Sequence, residues 1–188
     1  MENSITARGG NLWNMSQGSL RWDVFRFSNF AHNTLTVNSQ KHFAKGDARI
    51  IDVVDSDAAR GGTIDMTPVF AEQLSSARRT LLLLDGDSLR VSDSVAALAD
   101  KPADIEWRMV TDAAASVTEK GIVLEQGGYK MLLSASADDP SIRPAYKIWP
   151  AVGPGEWDDP NPGKCIVGYS LPLPAGASCT VSVSLRPL

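Results

Sequence analysis

The residues best suited to chemistry lie together near the start of the chain, within residues 21–40. His32 and Asn33 stand directly before an apolar run that alternates as a strand does. An imidazole can give or take a proton near neutral pH, and an amide can donate a hydrogen bond to an anion. Both are therefore candidate catalytic residues. The alternatives are a strand-end histidine whose hydrogen bonds are satisfied internally, and an asparagine that caps the turn.

Two arginines in the same segment are of a type that binds anions. Arg21 and Arg26 flank Trp22. A guanidinium can contact a carboxylate or a sulfate through two parallel hydrogen bonds. We therefore predict that both arginines bind substrate. For Arg26 the alternative is an ion pair with Asp23 or Asp52.

A long loop is predicted at residues 150–163, because its four prolines exclude a central strand. Trp157 in this loop could stack on the C–H groups of a sugar ring and is a candidate substrate-binding residue. The alternative is that it anchors its own loop. His42 follows the first segment, and we expect it to be an exposed loop residue rather than a ligand.

Composition limits the classes of function. The chain has 188 residues, 43% of them hydrophobic and 21% charged, which is typical of one soluble globular domain. A net charge of −4 argues against a nucleic-acid partner, since phosphate binding needs an excess of Lys and Arg. No apolar run reaches the roughly 18 residues of a membrane span. The N-terminus lacks the apolar stretch of a signal peptide.

Short alternating runs separated by turn residues recur from residue 20 to the C-terminus. They predict an all-β, antiparallel, two-sheet β-sandwich with little helix, preceded by an irregular lead-in at residues 1–19. Gly61–Gly62, Asp85–Gly86 and Gly127–Gly128 are expected between strands. One short helical turn is expected within residues 67–74. The predicted strands are 20–28, 33–38, 48–55, 63–66, 77–84, 88–95, 104–111, 114–118, 121–126, 129–137, 142–149, 164–171 and 178–186.

The run SLRWDVFRFSNFAHNTLTVNSQKHF resembles the heparinase II/III-like family of polysaccharide lyases. In that family an arginine-bearing segment precedes a strand of the type A-H-N-T-L-x-V-N/D-G. Here the strand reads from Ala31 to Asn38, and Ser39 stands where glycine is usual. The resemblance continues through GTIDMTPVFAEQLSSARRTLLLLDGDSLRVSDSV and IEWRMVTDAAASV, so it covers most of the chain.

The resemblance implies the C-terminal sandwich domain of a lyase that cleaves acidic, uronate-containing polysaccharides by β-elimination. It also implies an N-terminal α/α toroid that supplies a tyrosine acid/base, and a full-length protein in the periplasm or outside the cell. By position in the motif, His32 is the catalytic histidine of the sandwich. Tyr129, Tyr146 and Tyr169 lie in later strands and do not match the tyrosine motif. We therefore expect a fragment that is inactive alone.

No cofactor is expected. Some relatives hold a structural metal through histidines and an aspartate, for which the candidates here are His32 or His42 with Asp47 or Asp52. The strand that carries a later histidine in relatives spans residues 106–111 here and contains none. A zinc site rich in histidine therefore cannot be completed, and we predict no metal.

Two further alternatives stay open at this stage. Cys165 and Cys179 could form one disulfide or remain buried thiols. The competing function is a non-catalytic carbohydrate-binding or structural sandwich, since this fold serves many functions. An exposed row of aromatic residues on one sheet face would favour that alternative. The tryptophans are dispersed along the sequence, which argues against such a row.

Overall fold

A computed structural model describes residues 11–84, 88–156 and 158–188. Twelve antiparallel strands form two sheets, so the predicted all-β sandwich is confirmed. Helical structure in the described residues consists of four short 3₁₀ turns, at Leu20–Asp23, Phe25–Phe27, Asn29–Ala31 and Thr67–Phe70. The strands are β1 (Leu35–Val37), β2 (Arg49–Asp55), β3 (Ala59–Asp65), β4 (Leu74–Leu84), β5 (Ser88–Ala97), β6 (Ala103–Thr111), β7 (Ala114–Thr118), β8 (Gly121–Gln126), β9 (Tyr129–Ala137), β10 (Ala145–Pro150), β11 (Cys165–Leu173) and β12 (Ser178–Pro187).

The smaller sheet has the order β1-β6-β11-β10, and the larger has the order β2-β3-β4-β5-β12-β9-β8-β7. Each sheet turns one face inward, because apolar residues alternate along its strands. The smaller sheet contributes Leu35, Ile105, Trp107 and Tyr169 to the core, each at most 3% exposed. The indole of Trp107 stacks on the ring of Tyr169, with centroids 6.2 Å apart. These two large side chains, which are neighbours on β6 and β11, anchor the sheet that carries β1 in the core.

The two sheets are also joined by a polar contact. The hydroxyl of Tyr146 on β10 accepts a hydrogen bond from the backbone N–H of Ala135 on β9, at 2.7 Å. It donates to the carbonyl of the same residue at 3.2 Å. Because one hydroxyl satisfies both backbone groups of a strand in the opposite sheet, it fixes the distance between the layers at this point.

Two local predictions are wrong. Residues 20–28 form 3₁₀ turns instead of a strand. The Ser19 side chain caps the first turn by accepting a hydrogen bond from Arg21 N–H. Among the apolar residues of this segment only Val24 is fully buried, so the segment lacks the buried face of a strand. Gly61–Gly62 lies inside β3 instead of in a turn. At Gly61 a Cβ atom would lie 1.9 Å from the carbonyl oxygen of Leu81, so these glycines allow close approach of two strands.

The turn that follows β1 contains Ser39, the position at which the sequence departs from the motif. Asn38 and Ser39 have φ angles of 51° and 53°, and Gln40 N–H closes the turn on Val37 O at 2.9 Å. Two successive residues with positive φ suit a hairpin turn in which glycine normally takes the second position. Ser39 adopts that conformation without being glycine. Asn38 stabilises the turn through its side chain, which accepts from Asp104 N–H at 2.8 Å.

Gly127–Gly128 connects β8 to β9 as predicted, whereas Asp85–Gly86 lies outside the described residues. Cys165 lies on the smaller sheet and Cys179 on the larger, and both are free thiols. None of the helices in the described part of the chain has the length and apolar character needed to cross a membrane.

Candidate functional site

The segment that carries the predicted site, residues 20–34, has irregular backbone that is held by side chains. Asn29, 6% exposed, is its main anchor. Its amide nitrogen donates to Thr36 Oγ1 on β1 at 3.0 Å and to Gln40 O at 3.1 Å, and its Oδ1 accepts from His42 N–H at 3.2 Å. One buried amide therefore joins the 3₁₀ turns, the strand and the following loop.

A second anchor reaches the segment from far along the chain. The carboxylate of Asp158 accepts from Phe25 N–H at 2.7 Å and from Gly155 N–H at 3.1 Å. A charged acceptor for two backbone donors makes strong hydrogen bonds. The loop at residues 150–163 is thus attached to the first segment by its aspartate.

His32 is exposed and lines a pocket of about 360 Å³ on this segment. The volume lies at the lower end of the roughly 300–1,000 Å³ of small-molecule sites. Aromatic rings and polar groups share the wall, which suits a ligand with both apolar and polar faces. The lining residues are Trp22, Phe27, Ser28, Asn29, His32, Thr34, Lys41, His42, Phe43, Ala44, Gly46 and Val69.

A second pocket of about 350 Å³ adjoins the first and is bounded on one side by the 150–163 loop. Trp22, Ser28 and Lys41 line both pockets. The ammonium of Lys41 forms an ion pair with Asp23, which lines the second pocket. The two pockets therefore adjoin, with Lys41 in the wall that they share, and we call the pair of pockets the groove.

A buried ion pair supports the backbone behind His32. Arg79 on β4 and Asp93 on β5 are paired on adjacent strands of the larger sheet, and their side chains are 8% and 2% exposed. Two parallel hydrogen bonds of 2.8 and 2.9 Å join them. The remaining terminal nitrogen of Arg79 donates to Asn33 O at 3.0 Å. Because this carbonyl belongs to the residue after His32, the larger sheet fixes the backbone of the predicted catalytic residues.

Burial raises the pKa of the Asp93 carboxyl, while Arg79 and the indole of Trp107 act to lower it. Trp107 Nε1 is buried close enough to affect this carboxyl, yet it has no partner at hydrogen-bonding geometry. The bidentate contact with Arg79 is therefore the interaction that compensates the buried carboxylate.

Arg108 supports the same segment from the smaller sheet. Its guanidinium donates to Glu106 Oε2 at 3.0 Å and lies over the rings of Phe30 and Trp149, 5.4 and 5.1 Å from their centroids. Only 12% of its side chain is exposed. With one positive charge held between two rings, Arg108 fixes Phe30 two residues before His32.

Asn33 makes a structural contact, but with a distant strand instead of with the turn that it was expected to cap as the alternative. Its Oδ1 accepts from Val110 N–H at 2.8 Å, so it satisfies a backbone donor of β6 beyond the end of the short strand β1. The residue is exposed, and its catalytic role stays a prediction.

His42 is half-buried, so the expectation of an exposed loop residue is wrong. Its Nε2 lies 2.8 Å from Leu35 O, and its ring packs edge-on against Phe70 with centroids 4.8 Å apart. Burial is the main cause that lowers the pKa of His42, and the nearby charges of His32 and Arg79 lower it further. The imidazole is therefore neutral at pH 7.

The predicted substrate-binding residues are not all at the groove. Arg21 stacks over Phe27, 4.4 Å from the ring centroid, and donates to Leu12 O, so it supports the segment from outside the first pocket. Arg26 is exposed and pairs with Asp159 at 3.8 Å, which corrects the expected partners Asp23 and Asp52. Trp157 lies outside the described residues.

The described residues contain no group of three or more His, Cys, Asp or Glu side chains arranged to hold a metal ion. His32 and His42 share a pocket wall, but neither Asp47 nor Asp52 lines it.

Sequence reasoning missed Arg79, Arg108 and the ring of His42. A signal for the first existed, since Arg79 and Asp93 occupy inward positions in phase with Ala77, Val91 and Val95. A charged residue at an inward position of a strand indicates a buried pair. Nothing in the sequence pattern indicated the contacts of Arg108 or His42.

Comparisons with known proteins agree on one family. The sequence model of the family described as "Heparinase II/III-like, C-terminal" matches residues 5–159. None of the curated proteins matches the chain.

Solved structures with a similar fold include two of heparinase III and one of a heparan sulfate lyase. A heparinase III gene product with methylated lysines superposes with a TM-score of 0.64 at 10% identity, over 87% of this chain and 24% of its own. The heparan sulfate lyase HepC from Pedobacter heparinus gives 0.62 at 14%, over 84% and 24%. A further heparinase III gives 0.59 at 11%, over 84% and 23%. The chain therefore spans about a quarter of the length of these proteins.

Proposed function

The chain belongs to the heparinase II/III-like family through its C-terminal domain, and from this premise we propose that it is the sandwich domain of a lyase. The substrate class is acidic, uronate-containing polysaccharide, and the reaction is β-elimination. The proposal depends most on one observation, the exposed His32 at the wall of a groove that is fixed from both sheets.

The chemistry defines what this domain must supply. A base removes the proton on the carbon next to the uronate carboxylate, and the C4–O bond then breaks. The intermediate carries additional negative charge on the carboxylate, so a donor placed in advance lowers the barrier. An imidazole can provide that hydrogen bond or transfer a proton near neutral pH. We assign this role to His32, with the amide nitrogen of Asn33 as a second donor.

The geometry supports the assignment to His32 in two ways. Its side chain is exposed, so it can reach a ligand in the groove. Its backbone is constrained, because the next carbonyl accepts from the buried Arg79 and His32 N–H donates to Asn29 O at 3.2 Å. The hydrogen bonds therefore fix the backbone from which the imidazole projects, which is one part of what preorganised stabilisation requires.

Substrate binding is assigned to the rest of the groove. Two adjoining pockets suit successive sugar rings, and Lys41 between them can attract a carboxylate. Arg26 is exposed at the side of the 150–163 loop and can also contact an anionic group. We propose weaker roles for Arg21, which acts through the packing of Phe27, and for Trp157.

The remaining parts of the enzyme belong to another domain. The solved structures are about three and a half times as long as this chain, and we propose that an N-terminal toroid supplies the tyrosine base. This domain alone is therefore expected to be inactive. We expect the full-length protein in the periplasm or outside the cell, which fractionation with a specific antibody would test.

The test of the function uses the protein encoded by the full reading frame, with formation of the unsaturated product followed by ultraviolet absorbance on a panel of uronate polymers. His32→Ala should lower turnover about 10²–10³-fold, the usual effect of losing one preorganised donor. Because the side chain is exposed, the melting temperature should stay nearly unchanged. Lys45→Ala, an exposed residue outside the pocket lining, is the control.

Two results would separate the interpretations. His32→Gln keeps a donor but cannot transfer a proton, so partial recovery would indicate a role in hydrogen bonding. Normal turnover of His32→Ala with a lowered melting temperature would make His32 a structural residue and would reject the proposal.

In the part of the chain that the structure describes, Tyr129 on β9 is an exposed aromatic residue, but no row of such residues supports the alternative of a non-catalytic binding module. Its expected sign was a row of exposed aromatic residues on a sheet face. Among the tryptophans that the structure describes on strands, Trp107 is buried and Trp149 is half-buried beneath Arg108.

A further inference from the structure

His42 is held in the pocket wall from three sides. Its backbone N–H donates to Asn29 Oδ1, its Nε2 lies 2.8 Å from Leu35 O, and its ring edge packs on Phe70. The ring therefore has one position and one orientation. These three partners, Asn29, Leu35 and Phe70, are buried, so ligand binding need not reorganise them.

These contacts determine which ring nitrogen carries the proton. A carbonyl oxygen can only accept, so the contact with Leu35 O requires a proton on Nε2 of His42. In the neutral ring the other nitrogen, Nδ1, then carries a lone pair. Burial favours this neutral form, since the pKa of His42 is lowered. Within the described residues, Nδ1 has no hydrogen-bond partner.

Because Nδ1 is not among the buried side-chain atoms that lack a partner, it is accessible, and the wall that His42 shares with the exposed His32 holds a fixed acceptor. A lone pair in a partly apolar wall selects ligands that donate a hydrogen bond there, because an oxygen without a proton would leave both acceptors unpaired. Sugars carry hydroxyl groups on every ring and apolar C–H faces that suit the aromatic lining.

We propose that His42 is a specificity-determining residue of this pocket, and that its Nδ1 accepts a hydrogen bond from a hydroxyl group of the sugar unit bound there. The choice of a sugar as the ligand rests on the proposed function, whereas the acceptor role of Nδ1 rests on the geometry alone. His42 would select the ring that binds, while His32 acts on the bond that breaks.

The test uses the ¹⁵N-labelled chain and long-range ¹H–¹⁵N spectra of its two imidazoles at pH 7.5. The probe is methyl glucuronide, and the matched ligand is its ether with all hydroxyl groups methylated, which can accept but cannot donate. We expect His42 to appear as the neutral Nε2–H form. The glucuronide should shift its Nδ1 resonance, and the ether should leave it unchanged.

His42→Gln is the matched variant, because the glutamine amide can still donate to Leu35 O while the Nδ1 acceptor is lost. It should weaken glucuronide binding about three- to tenfold, as expected for one neutral hydrogen bond. A thermal melt checks that the variant is folded, and the spectra of the unsubstituted chain remain decisive if it is not.

Four results would overturn the proposal. The first is a proton on His42 Nδ1 at pH 7.5, and the second is an Nδ1 shift of equal size with the methylated ether. The others are a glucuronide that shifts the Trp22 indole resonance but not Nδ1, and a saturating glucuronide that shifts no pocket resonance. None of them depends on turnover. Normal turnover of His32→Ala would instead reject the lyase role and leave the Nδ1 contact intact, so the two failures are distinguishable.

Discussion

Replacing Arg79 by methionine tests whether the larger sheet supports the site. Arg79→Met keeps most of the apolar stem and removes the guanidinium. Asp93 then loses both of its hydrogen bonds while it stays 1% exposed, and Asn33 O loses its donor. The carboxylate must remain buried without its partner or take up a proton, and either outcome destabilises the folded state.

The expected cost follows from burial of the pair. Removing one partner of a buried ion pair typically costs about 3–5 kcal/mol. Domains of this size lose roughly 2–4 °C in melting temperature for each kcal/mol, so we expect a decrease of about 6–20 °C. This is a large share of the roughly 5–15 kcal/mol that stabilises a domain.

Urea unfolding followed by tryptophan fluorescence gives the free energy of unfolding, and calorimetry gives the melting temperature. The matched variants are Asp93→Leu and the double variant Arg79→Met/Asp93→Leu. An apolar pair leaves no charge unpaired, so the double variant should recover about 1–3 kcal/mol relative to Arg79→Met.

The reasoning fails if Arg79→Met and Asp93→Leu each stay within about 0.5 kcal/mol of the unsubstituted chain, the range of ordinary surface substitutions. It also fails if the two effects simply add, because additive effects mean that the side chains do not interact. In either case the link from the larger sheet to Asn33 would not position His32.

Three further predictions concern single residues. Burial lowers the pKa of His42 in the folded chain, so the neutral ring contributes stability fully above its unfolded pKa of about 6.5, and this contribution is lost as the pH falls through the folded pKa. In urea unfolding, the His42→Gln variant should therefore lose less stability between pH 7.5 and 5 than the unsubstituted chain does. Burial raises the pKa of Cys179 to about 11, so peptide mapping after iodoacetamide treatment at pH 8 should find it unmodified in the folded chain and modified in urea. Ser39→Gly should stabilise the chain by about 0.5 kcal/mol, since glycine adopts a φ near 53° without strain, and a lower midpoint in urea would contradict this.

The strands were predictable where one face is buried and the other is not. In β5 and β12 apolar residues alternate with serine, threonine or charge, and their predicted bounds lie within two residues of the observed ones. Residues 20–28 failed for the opposite reason. Their aromatic residues resemble a strand in composition, but their backbone bonds go to turns and to Asp158, which is far away in sequence.

The motif gave the position of His32, but the surroundings of His32 depend on contacts between distant segments. Arg79 lies 46 residues from Asn33, and the contact exists only because the two sheets pack face to face. The neutral state of His42 likewise depends on the turn after β1, which brings its ring back to Leu35 O. Alternation within a strand carries no information on either contact.

The way in which the groove segment is attached has a consequence for how this domain diverges. Its anchors are Asn29 and Asp158, and their bonds go to backbone atoms or to Thr36. Trp22 and Phe27 face the pocket and are not among these anchors. These two rings can therefore change while the bonds of Asn29 and Asp158 hold the segment, so the lining of the pocket can diverge through a few substitutions without loss of the fold.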